Sequence, residues 1–385
     1  ISILQQPSAT SFAGVHLTLG CHFDMDEIFS HLISKKLNKG KTTPYVMRAF
    51  EPKAIHQRTF FFVFKYYTVV DDGFTPSAWQ RHGSVQTASD EDAINISECS
   101  SIVALSLEGD VVDQVSRRAS KSNRVKMGSV FETFAPFHIL SIQCFPDGIA
   151  SDRVLAETTL HSGPQAFLEC LAMEYRTAVQ RLWKLNERIA SLVIPPDEFM
   201  FDLKLRDQLL FEDADFTFSR RYFWAYNSLA MVNDNIGSML DAYADTFTSS
   251  FWLGQHPTLW PHPDPDSLEG VNYLARLATL RHDLEASLRE LRALIKSNEQ
   301  LRREIDNLRE QLYSGSSVKE NRTTIEQGEN IKILTGVSML FMPLTFVTSV
   351  FSMQAFHIPP TDWRFVVMMI SICVPFFVLV FILQT

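Results

Sequence analysis

Two apolar runs close this chain, and both are free of charge. One is Ile333 to Met353; the other is Phe365 to Leu383. Wound as a helix at about 1.5 Å per residue, the first spans roughly 30 Å, the hydrocarbon thickness of a bilayer. Between them, "QAFHIPPTDW" brings Pro359, Pro360, polar residues and Trp363, an aromatic suited to a membrane interface. So short a break predicts an antiparallel hairpin. The first transmembrane helix takes residues 331–354, the external loop 355–362 and the second helix 363–385.

Upstream, the pattern changes period. From Leu268 no proline interrupts the chain until Pro343. A heptad frame puts Leu277, Leu284, Leu291, Asn298, Ile305 and Leu312 at a, and Leu280, Ser287, Leu294, Leu301 and Leu308 at d. An apolar a/d seam with one polar a residue predicts a self-associating coiled coil, with Asn298 setting register. The long stalk helix is thus expected over 267–330. "YSGSSVKENRTTIEQGEN" has weak helix formers but no proline. A continuous helix is expected there, because a stripe in the first span keeps the same periodicity. Ile331, Thr335, Ser338, Met342, Thr345, Ser349 and Ser352 alternate in spacing between four and three. Hydroxyls on one face serve either of two ends: close helix packing with back-bonding to carbonyls, or the lining of a pore. A self-associating stalk feeding the stripe favours the pore.

The first 266 residues read as a cytosolic α/β and helical domain. "TFFFVFKYYTVV" (59–70), "SIVALSLEG" (101–109) and "FHILSIQCF" (137–145) carry the apolar and aromatic residues of buried strands. The stretch from Thr75 to Asn95 reads as a polar loop. From Pro164 the period turns helical until Pro195-Pro196 stops it after Val193. One or two more helices are expected between Phe199 and Trp252, before the loop "HPTLWPHPDPDS".

Charge narrows the function. A net charge of −9, with no Lys/Arg cluster, excludes a nucleic-acid binder. Lys319, Arg322 and Lys332 precede the first span, and the loop has no Lys or Arg before Arg364. The N-terminal bulk and the C-terminus are therefore expected on the cytosolic (or matrix) side. Five scattered cysteines without a C-x-x-C pair read as reduced thiols. The sequons at Asn95 and Asn321 would matter only in a secretory lumen. The chain opens without Met, and residues upstream are expected.

Enzyme motifs do not appear: there is no G-x-G-x-x-G, Walker loop, H-E-x-x-H or G-x-S-x-G. His256, His262, Asp264 and Asp266 gather four metal-capable groups, but the prolines around them point to loop geometry. Glu212 to Phe216, "EDADF", reads as a solvated face rather than an ion sensor.

The segment "MPLTFVTSVFSMQAF" resembles the signature of the CorA magnesium-transporter superfamily. There, a long stalk helix enters a first span that contains "PLTF" and ends in Gly-Met-Asn. Met342-Pro343-Leu344-Thr345-Phe346 matches the first element, and Ser352-Met353-Gln354 stands in the tripeptide's place. The resemblance implies a homopentamer with a funnel-shaped cytosolic domain, moving divalent cations through a central pore. It also implies no cofactor beyond the transported ion, Mg²⁺ or another divalent cation. By position it makes Gly328, Ile331, Leu334, Thr335, Ser338, Met342, Thr345 and Ser349 pore-lining, and Ser352, Met353 and Gln354 the selectivity filter. Gln354 keeps an amide that can hold an ion's water shell, but its reach is one methylene longer than that of Asn. Ser352 adds a Cβ where the family has Gly. A less Mg²⁺-selective mouth is expected. The alternative is a differently selective (for example Zn²⁺) or non-conducting CorA-like assembly with a structural or sensing role.

Overall fold

The computed structural model describes residues 1–33, 59–70, 76, 79–80, 82–85, 94–108, 111–118, 125–144, 162–213, 215–254, 262–352 and 363–384. The chain divides into two compact units, Ile1–Arg309 and Glu310–Thr385.

The first unit is built on a mixed sheet. Its strands are β1 (Ser2–Gln5), β2 (Thr59–Val69), β3 (His82–Val85), β4 (Ile94–Leu107) and β7 (Phe137–Gln143), in the order β1-β7-β4-β2, with β3 also on β4. β1 lies parallel to β7, and the other pairs are antiparallel. A separate antiparallel ribbon joins β5 (Val111–Arg118) to β6 (Val125–Phe131). β4 is the centre. It is buried at every residue from Cys99 to Leu107, so both of its faces are covered. The helices α1 (Ala9–Leu19) and α2 (Met25–Ile33) lie between β1 and β2 in the chain, and α2 packs on β4. α3 (Gly163–Val193) lies along β2, β4 and β7.

The three expected strands appear as β2, β4 and β7, but β4 begins earlier, at Ile94. It passes through Ser97, Ser100 and Ser101, all buried. These serines disguise a core strand as polar, and β3 also falls inside the stretch expected to be loop. Small hydroxyls fit between closely packed layers where a larger side chain would not.

α3 starts and ends where the sequence puts it. Ser162 caps it by accepting from Gln165 N–H, and Pro164 sits in its first turn. A Cβ on Gly163 would lie 2.8 Å from Phe137 Cβ and 2.9 Å from Leu107 Cδ2, so only glycine lets the helix start this close to the sheet. After a 3₁₀ turn at Asp197–Met200 come α4 (Leu203–Leu210), α5 (Thr217–Thr246) and the short α6 (Ser249–Trp252). The Glu212 carboxylate accepts from Phe218 N–H and Ser219 N–H, both at 3.1 Å, and Asp213 accepts from Thr217 N–H at 2.8 Å. The acidic patch expected to be merely solvated therefore caps α5. These hydrogen bonds from Thr217 also hold the Asp213 pKa below the usual carboxylate value.

α7 runs without interruption from Leu268 to Ser352, and α8 from Trp363 to Gln384. The heptad seam, expected to join copies of the chain, has a different occupant. Leu277, Leu280, Leu284, Ser287, Leu291, Leu294, Asn298, Leu301 and Ile305 are all buried within the first unit of a single chain. Asn298 accepts from Asn186 Nδ2 of α3 at 2.6 Å and donates to Asn233 Oδ1 of α5 at 2.7 Å. Arg276 pairs with the buried Glu169 of α3, Nε to Oε1 at 2.7 Å, and the Arg302 guanidinium lies 4.2 Å from the Tyr226 ring centroid on α5. The a/d spacing marks a face that helices cover. It does not say whether those helices come from the same chain.

Candidate ion pathway

In the second unit α7 carries the apolar stretch. Among the described residues it is the one helix long and apolar enough to cross a membrane, and almost none of that stretch is buried. α8 contributes a shorter apolar run, Val366–Val378. The residues expected to connect them, 353–362, lie outside the described ones, apart from Trp363 at the start of α8.

Pro343 has no N–H to give the Met339 carbonyl, yet the helix continues through it. Nearby threonines turn their hydroxyls inward. Thr345 Oγ1 lies 2.9 Å from Phe341 O and 3.0 Å from Met342 O, and Thr348 Oγ1 lies 3.0 Å from both Leu344 O and Thr345 O. Each hydroxyl thereby uses its hydrogen and keeps its oxygen lone pairs available. A back-bonded threonine is a neutral acceptor, the group a cation or its water shell needs.

Most of this stretch is exposed in the single chain, with few covered positions. Pro343 is buried, and Met339, Leu344 and Val350 are half-buried. Gly328, Ile331, Leu334, Thr335, Ser338, Met342, Thr345, Ser349 and Ser352 are all exposed. At about 100° per residue, the stripe from Thr335 to Ser352 centres well over a quarter-turn away from Pro343. The residues expected to line a pore are exposed in the single chain, and so are Ile333, Val337, Phe341 and Phe346 off the stripe. Met342 and Ile331, 64% and 63% exposed, are large apolar interruptions of that face. Of the expected filter, Ser352 is the last residue of α7, while Met353 and Gln354 lie outside the described residues.

The histidine-containing loop before α7 is described only in part. His256 lies outside the described residues. The His262 ring packs edge-to-face on Tyr273, and Asp264 Oδ1 accepts from Asp266 N–H at 3.1 Å. Asp264 O also accepts from Ser267 Oγ, just before α7. Among the described residues, His262, Asp264 and Asp266 shape a loop. A group that could converge on an ion is one the sequence does not announce. His22, Glu108 and His138 come together from three distant segments with no motif spacing.

Residues 269–384 match the family described as CorA-like Mg²⁺ transporter protein, a family of transporters and not of enzymes. No curated protein matches the chain. Two solved structures are similar to it. One is the ZntB cytoplasmic domain from Vibrio parahaemolyticus RIMD 2210633, at 11% identity and a TM-score of 0.36, covering 80% of this chain and 86% of that one. The other is the full-length CmaX protein, at 12% identity and a TM-score of 0.33, covering 100% of this chain and 88% of that one. At such scores neither likeness assigns a role to any residue. The family match takes in nearly all of α7 and all of α8, including "PLTF" and the Ser352-Met353-Gln354 tripeptide, and leaves the first 268 residues unmatched.

Proposed function

We propose that the chain transports divalent cations through a pore built from several copies, five in the family's arrangement. Each copy contributes the open face of α7, and α7 and α8 form a two-span membrane hairpin. The observation that carries this reading is the match of residues 269–384 to the CorA-like Mg²⁺ transporter family, on a helix apolar enough to cross a membrane that carries the hydroxyl stripe from Thr335 to Ser352. Its hydroxyls offer neutral oxygens in place of bulk water, and rings of Ile331 and Met342 form apolar constrictions that resist wetting. Mg²⁺ sheds its waters reluctantly, so a ring of Gln354 amides recognises the hydrated ion. Neutral oxygens one methylene out of place discriminate weakly, and the mouth passes Mg²⁺ with low selectivity over Zn²⁺, Ni²⁺ and Co²⁺.

The test is ion flux into liposomes containing the full chain, with the four ions compared. Met342→Ser is expected to raise flux several-fold by wetting the constriction, and Ser352→Gly with Gln354→Asn to sharpen Mg²⁺ preference. No flux of any ion, together with no effect of Met342→Ser, would leave the stripe as packing surface and make the assembly non-conducting.

A further inference from the structure

We propose that His22, Glu108 and His138 form a binding site for a transition-metal ion of the Zn²⁺ class. The site lies in the first unit, on the sheet face away from α3. Their donor atoms all lie within 4.8 Å of one another. His22 Nδ1 is 2.5 Å and His138 Nε2 3.5 Å from the same carboxylate oxygen, Glu108 Oε1. The two imidazoles stack with centroids 3.6 Å apart and planes at 19°. Ligand atoms of a tetrahedral zinc site stand about 3.3 Å apart, given metal–ligand bonds near 2.0–2.2 Å. Small side-chain rotations close the difference.

The backbone holds all three ligands in place. His22 follows the end of α1, its N–H bonded to Leu19 O at 2.9 Å, and the buried Phe23 and Met25 anchor the next residues. Glu108 leaves β4 directly after the fully buried Leu107, and its N–H reaches Pro136 O at 2.7 Å. His138 is the second residue of β7, opposite Ser106 of β4. Phe137 faces Gly163 at the start of α3, so strand alternation turns His138 to the other face, where Glu108 and His22 meet it. Side-chain exposures of 21% for His22, 30% for Glu108 and 40% for His138 leave the cluster reachable by an ion.

Two imidazole nitrogens with one carboxylate form a borderline donor set. It suits Zn²⁺, Ni²⁺ or Co²⁺, whereas Mg²⁺ prefers a shell of oxygens and water. Three protein ligands leave one tetrahedral position to water. The ligands come from segments far apart in sequence, so the bound ion ties the α1–α2 turn to the sheet and stabilises the fold by mass action. The buried thiols do not compete well. Burial pushes Cys99 to about 11 and both Cys144 and Cys170 to about 12, and only the thiolate is a good ligand. The site stands whether or not the chain conducts.

The experiment uses the full chain in detergent, stripped with a chelator and titrated with Zn²⁺ or Mg²⁺. Saturating Zn²⁺ is expected to raise the unfolding temperature by several degrees where Mg²⁺ does not, with Co²⁺ giving visible absorption bands on binding. His22→Ala with His138→Ala should remove one bound equivalent and the Co²⁺ bands. Glu108→Gln, which keeps the side chain's shape, should weaken binding at least tenfold. Cys21→Ser, at the exposed neighbour of His22, should change neither. An equal shift with Mg²⁺, no shift with Zn²⁺, or an unchanged Zn²⁺ equivalent in the double-histidine variant would each overturn the proposal. If the alanine variants do not fold, the Zn²⁺/Mg²⁺ contrast and the Glu108→Gln titration decide it.

Discussion

His262 stands before α7, its ring 5.7 Å from that of Tyr273 and its Nε2 without a hydrogen-bond partner among the described residues. Burial disfavours the charged imidazolium and lowers the pKa from the ordinary value of 6.5. The sign follows from linkage. Below about pH 6.5 the unfolded chain takes up a proton that the folded chain refuses, so stability present above that pH is lost as the pH falls through the folded pKa. Unfolding temperature measured from about pH 7.5 down to about pH 5.5 should therefore decline, and His262→Phe should flatten the decline. An unchanged slope in the variant would assign the effect to other groups. In the sequence His262 stands among potential metal ligands. Its partner turned out to be an aromatic ring, which no local spacing reveals.

At the scale of elements, α7 performs two tasks with one periodicity. Up to Ile305 its seam is buried within the first unit, where Asn298 meets α3 and α5, and further on the stripe is exposed. Asn298 links the three helices, fully buried, with one amide contact to each neighbour. Asn298→Ala deletes both bonds and leaves Asn186, itself buried, with an unmet donor. The expected cost is about 1–3 kcal/mol, read as a lower unfolding midpoint. Asn298 was legible as a register-setting residue. What it registers was not, because an asparagine at an a position behaves alike toward a helix of its own chain and one of a copy.

For the whole molecule, the buried seam bears on the proposed assembly of several copies. If Leu277 to Ile305 joined chains, cutting the seam would split the assembly. Leu291 is 0% exposed in the single chain, so Leu291→Ala should cost about 2–5 kcal/mol of fold stability. The mass of the assembly in detergent should stay that of the wild type. A fall to monomer mass at an unchanged unfolding temperature would return the seam to the interface. Association is then left to other surfaces, among them the open face of α7, whose exposed Ile331, Leu334 and Met342 gain by being covered.

Local sequence was sufficient wherever the controlling interaction is itself local. The uncharged runs determined two apolar helices, because helix hydrogen bonds close over four residues and so lie within each run. Ser162, Pro164 and the Pro195-Pro196 stop determined α3, because caps and prolines act within one turn. The four-three spacing determined that Thr335 to Ser352 share a face, and "PLTF" with its tripeptide pointed to the family that residues 269–384 match. Tertiary structure decided the rest. It hid serines in the central strand and buried the heptad seam within the first unit. It also made caps of Glu212 and Asp213, and it brought His22, Glu108 and His138 together. Each of these depends on which distant segment lies alongside. A periodic pattern records that a face is covered, but the identity of its cover is set only when the whole chain packs.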